Sequence, residues 1–133
     1  MSSSLFIAAT VNSQEGINEN PGHDFARIEL AKATRASDEI VVNKFKELKT
    51  IIRASQHPAG LEHNAQTADK LNVEHQHWLL YAESHCWLVS SVYVYPSGSK
   101  MSLSEFNSCK LEMNQQRLNF MHVIGTEYSQ VSP

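Results

Sequence analysis

Only two cysteines, Cys86 and Cys109, occur in the 133 residues, and no Cys-x-x-Cys pair is present. Two cysteines make no disulfide framework, so the sequence predicts a fold held by its own core. Cys86 then reads as a buried structural thiol between Leu79 and Trp87. The start, MSSSLFIAATV, has no basic leader, and its apolar run is shorter than a signal-peptide core. The longest apolar region, 78–95, is interrupted by Glu83, Ser84 and His85, which excludes it as a membrane span. These absences set the expectation of a cytoplasmic protein in a reducing medium. Catalytic signatures are missing too: no Gly-x-Ser-x-Gly elbow, no glycine-rich phosphate cradle and no dinucleotide fingerprint. His85 adjoins Cys86 in sequence, but neighbouring side chains on a helix diverge, so the two do not make a nucleophile and its base.

Breakers are few and clustered. The four prolines and five glycines leave 23–57, 61–95 and 99–124 free of both, which predicts long helices joined by short connections. Composition, 41% hydrophobic and 19% charged, is that of an ordinary globular domain. One domain over 1–133 is expected, with 1–23 a mostly irregular arm.

Within those stretches, Phe25 and Ile28 open a helical pattern after Asp24, and Ser37 or Asp38 offers a break or N-cap. Val41, Phe45, Leu48 and Ile52 then recur at spacings of four, three and four, a clean amphipathic stripe. Residues 54–64 read as a connection, with helix resuming near Thr67 and running through Ala68, Leu71, His75, Trp78 and Ala82. In the last stretch Ser102-Leu103-Ser104-Glu105 matches a capping box. A run through Met113, Arg117, Phe120 and Ile124 follows, and Gly125 stands as a helix stop. That gives a mainly α fold, a bundle of about four helices with 24–35 and 38–54 as a bent or broken pair. The alternative is α+β, with 5–11 and 86–95 as strands packed on helices, because 86–95 is rich in β-branched and aromatic residues.

Residues 74–95 hold both tryptophans and three of the four tyrosines. As a helix this segment is apolar all round, so it must be central in the bundle or shared between subunits. Self-association is therefore expected, and Trp78, Tyr81 and Trp87 are residue types enriched at interface hot spots. Charge is uneven as well. Residues 27–53 carry seven Lys and Arg against four Asp and Glu, a balance of +3 within a chain of net charge −3. Lys46, Lys49 and Arg53 on the flank of the stripe suit an anionic protein or a phosphate-bearing ligand. The acidic chain as a whole argues against nucleic acid.

Glu74, His75, His77 and His85 are the candidate metal ligands. Glu74 and His77 have the Glu-x-x-His spacing of di-iron bundles, yet no second such pair exists to complete a site. No cofactor is required by the sequence, and a divalent metal is the one candidate. The function expected is that of a non-enzymatic interaction protein of inhibitor or adaptor type, or part of an assembly. The competing expectation is a histidine-based metal-dependent enzyme, or a small anionic-ligand binder or sensor, built on 74–85.

Overall fold

The computed structural model describes residues 21–92 and 99–129, with side chains from Phe25 in the first helix and from Leu103 in the last. Three helices account for nearly all of them: α1 Pro21–Ala54, α2 Leu61–Val92 and α3 Ser99–Ser129. Thr34 of α1 meets Asn107 of α3, and Ser55, just past α1, meets Tyr128 at the far end of α3. So α1 and α3 run parallel and α2 runs antiparallel against both, with the α1–α3 contact the most extensive. No strand occurs among the described residues. The strand alternative is thereby excluded for 86–92, which belong to α2, while 5–11 and 93–95 lie outside the described residues.

Helix α1 is continuous, not a bent pair. Ser37 and Asp38 do not cap a break; their side chains accept hydrogen bonds from Asn114 Nδ2 on α3, at 2.9 and 2.8 Å. A residue type that favours a cap thus finds a tertiary partner instead, and the helix runs on. Pro21 sits in the first turn of α1, where its missing N–H costs nothing. The predicted stripe is the core: Val41, Phe45, Leu48 and Ile52 are buried with Ala68, Leu71 and Met121.

The connection is shorter than expected, residues 55–60. Gly60 takes a φ of +99°, open to glycine at little cost, and its N–H donates to His57 O at 3.0 Å to close the turn. Asn64, fully buried, donates to Ser55 O at 2.8 Å and ties the start of α2 to the end of α1.

Helix α3 overruns both predicted ends. It starts at Ser99, so Ser102 is inside it and is not its cap, and it passes through Gly125. A Cβ built on Gly125 would lie 3.6 Å from Leu48 Cδ1, so this glycine packs within the helix rather than ending it. The inward face keeps Arg117 of the expected stripe but takes Asn114 and Met121 in place of Met113 and Phe120. Asn114, Arg117 and Met121 are buried, whereas Phe120 is partly exposed.

Cys86 and Cys109 form a disulfide joining α2 to α3, with Cα atoms 5.5 Å apart. This corrects the expectation of a free buried thiol. The helices cross where the two positions face each other, which sequence spacing alone does not reveal.

Candidate functional site

The most elaborate polar arrangement in the bundle is centred on Arg117, which is only 4% exposed. Its guanidinium donates through Nη1 to Glu74 Oε2 at 2.8 Å and through Nη2 to Glu74 Oε1 at 2.5 Å. Nε donates to His75 Nδ1 at 3.2 Å. Its two faces are covered by the rings of Trp78 and Phe120, at 5.1 and 4.9 Å. Buried arginine in this setting has its charge matched by a bidentate carboxylate and its planes by aromatic quadrupoles.

His75 is fixed just as firmly. Its ring stacks on Phe45 of α1 at 3.9 Å and on Trp78 at 5.7 Å. Burial, and then the adjacent Arg117 charge, push its pKa down to about 4. Because Nδ1 accepts from Arg117, the ring is neutral with its proton on Nε2. The hydrogen bonds from Arg117 hold the Glu74 carboxyl below its ordinary value. Every group here is committed to another, so the cluster joins α1, α2 and α3 and has no free acid or base to offer a substrate.

The four candidate metal ligands are not brought together. Glu74 and His75 are taken by Arg117, His77 is exposed, and His85 stacks on Tyr81 at 5.4 Å. Among the described residues no group of three or more His, Cys, Asp or Glu side chains is placed to hold a metal ion.

The candidate contact residues fall on two surfaces. Lys46 is exposed on α1. Lys49 lies over the Phe45 ring at 4.5 Å and donates to Asn72 Oδ1 at 3.4 Å. Arg53 is 3.8 Å from Asp69, a solvent-exposed pair of little energetic weight. Trp78 packs against the core, while Tyr81 and Trp87 are about half exposed, Trp87 stacked on Phe106 at 4.2 Å. The basic strip of α1 and the aromatic side of α2 are therefore both open to solvent.

Two features escaped the sequence. Arg117 is the one charge among the apolar positions predicted to line α3, and that misfit was the available signal. At the connection end, His57, His63 and Tyr128 form a second ring stack, with His63 Nε2 3.1 Å from the Tyr128 hydroxyl.

A small helical bundle whose internal ionisable groups are spent on one another, with basic and aromatic surfaces outside, belongs with non-enzymatic interaction proteins of inhibitor or adaptor type. The family model described as "Lysozyme inhibitor LprI" matches residues 23–121, from the first turn of α1 to Met121 of α3, and the chain belongs to that family. No curated protein and no solved structure matches the chain.

Proposed function

We propose that this protein inhibits a lysozyme-type glycoside hydrolase by occupying its surface, without chemistry of its own. The observation that carries this is the family match over residues 23–121, which takes in the core of the bundle and the Arg117 cluster. Lysozymes cleave glycan held between two carboxyl groups in a cleft. A rigid protein seated over such a cleft blocks substrate by exclusion alone. Lys46, Lys49 and Arg53 are the cations suited to meet an anionic rim, and their effect falls chiefly on the rate and orientation of encounter.

The setting that best fits is an oxidising compartment, not the reducing cytoplasm expected from the sequence. The Cys86–Cys109 bridge supports this, since structural disulfides persist where thiols are not kept reduced.

The test is an activity titration. Full-length oxidised protein is added to a lysozyme acting on peptidoglycan, and hydrolysis is followed by turbidity. Loss of activity that saturates with mole ratio is expected, with complex formation seen by calorimetry. An unchanged rate and no binding heat at about tenfold molar excess, across lysozymes of different types, overturns the proposal.

A further inference from the structure

The outward face of α2 carries large apolar side chains that the described residues leave about half exposed or more, Trp87 being partly covered by Phe106 of α3. Val73, Leu80, Tyr81, Trp87, Leu88 and Val92 are between 47% and 70% exposed. They lie opposite the buried row of Ala68, Leu71, His75, Ala82 and Cys86 on the same helix. We propose that this face is a homodimer interface, in which α2 of one copy packs against α2 of a second copy.

Three observations favour a second copy as the occupant. The first is charge. From His75 to Val92 the only charged residue is Glu83, on one flank of the stripe, while Asp69, Lys70 and Glu74 border its Val73 end. The middle of this surface has little to steer a charged partner, and two copies that cross there meet without like-charge repulsion. The second is spacing. Val73, His77, Leu80, Ser84, Trp87 and Ser91 follow one another at intervals of four, three, four, three and four, the period of a two-helix seam. Ser84 is small, which lets two helix backbones approach between Leu80 and Leu88. The third is area. The six apolar residues leave on the order of 600 Å² in water, at the top of the range for the largest patch on a monomer and close to the ~800 Å² per partner of a standard interface. A two-fold axis near Ser84 would use this one patch twice, which is what an isologous dimer requires.

This goes beyond inhibition and does not depend on it. The test is sedentation-free and uses the whole chain: native mass spectrometry and light scattering of the oxidised protein from about 1 to 100 μM, beside the double variant Leu80→Glu/Leu88→Glu. Both leucines are well exposed, so the variant keeps its helical signal and melting temperature measured at low concentration. A dimer in the parent, with association at least ~100-fold weaker in the variant, is expected from the loss of two central contacts. A parent that stays monomeric through 100 μM overturns the proposal, as does a variant that dimerises as well as the parent. A third arm identifies a rival occupant. If the parent is monomeric and Phe6→Ser/Ile7→Ser makes it dimeric, the face is covered by the chain's own apolar segment 5–11. If the parent is monomeric and the Leu80→Glu/Leu88→Glu variant no longer binds lysozyme, the face belongs to the lysozyme. Both of those results also overturn the homodimer.

Discussion

Helices α1 and α2 are of nearly equal length, 34 and 32 residues, and they are built on opposite plans. In α1 a row of large apolar side chains forms the core: Leu30, Val41, Phe45, Leu48 and Ile52 are all buried, while Phe25, Ile28, Ile40 and Val42 on its other side are exposed. In α2 the buried residues are mostly small or polar, namely Asn64, Ala68, Leu71, His75, Ala82, Cys86 and Ser90, while its larger apolar side chains face water. The first helix supplies hydrophobic stabilisation. The second supplies a specific polar interior and a disulfide, and leaves its apolar side in water. Apolar faces of this size in solvent are commonly binding faces, so the contrast separates the side of α2 that folds the protein from the side on which the proposed contact rests.

The largest effect that would break the contrast lies at Arg117. Arg117→Ala leaves His75 and the inner side of Glu74 without their cation, and a loss of about 3–5 kcal/mol in urea unfolding is expected. Arg117→Met, which refills the volume between Trp78 and Phe120, should recover part of it. Full recovery would mean that the polar centre adds specificity and no stability.

Matched truncations sharpen the contrast next. Ile52→Ala in α1 removes a fully buried side chain and should cost about 2–5 kcal/mol. Leu80→Ala in α2 should stay within about 0.5 kcal/mol, as for an exposed site. Equal costs would erase the distinction between the two helices.

Removing the disulfide comes third. Cys86 and Cys109 are 23 residues apart, and opening a loop of that size costs about 3 kcal/mol in the chain-entropy account. Denaturation of the Cys86→Ala/Cys109→Ala variant, compared with the oxidised parent, measures it. Cys86 is buried, so some of the loss will be packing.

The smallest effect is a slope with pH. The folded pKa of His75, about 4, lies below the ordinary 6.5, so below pH 6.5 the unfolded chain takes up a proton that the folded one refuses. The stability contribution is present above 6.5 and is lost as pH falls toward 4. Glu74, also held low, adds a loss in the same direction below its ordinary value of 4.5. Unfolding curves between pH 4 and 7 should show this fall, and His75→Gln should flatten the part above 4.5.

How much of this was legible follows from the same contrast. The α1 stripe could be read because its period is carried by large apolar residues, and all four members are core. The inward face of α2 could be read as far as Ala82, since Ala68, Leu71, His75 and Ala82 are buried and Trp78 packs on the core, but Cys86 and Ser90 mark no period beyond it, and Tyr81 and Trp87, which drew attention as contact residues, face outward. The expectation that this helix is central in the bundle meets a bundle that encloses only one side of α2. Ser37, Asp38 and Gly125 misled for a common reason: each has a local preference that a partner on another helix overrides. Glu74 and His75 were singled out as metal ligands, and the structure spends them on a cation instead. Their partner is an arginine on α3, which no local spacing could announce. The Cys86–Cys109 pair likewise depends on how two helices cross.

The measurement that bears most directly on the division between folding and contact is the unfolding free energy of Leu80→Glu/Leu88→Glu, taken at a concentration where parent and variant are both monomeric. A value within about 0.5 kcal/mol of the parent is predicted, because two charges placed in water leave the fold untouched. A loss of several kcal/mol would contradict it, and would return the aromatic stretch of α2 to the interior of the protein.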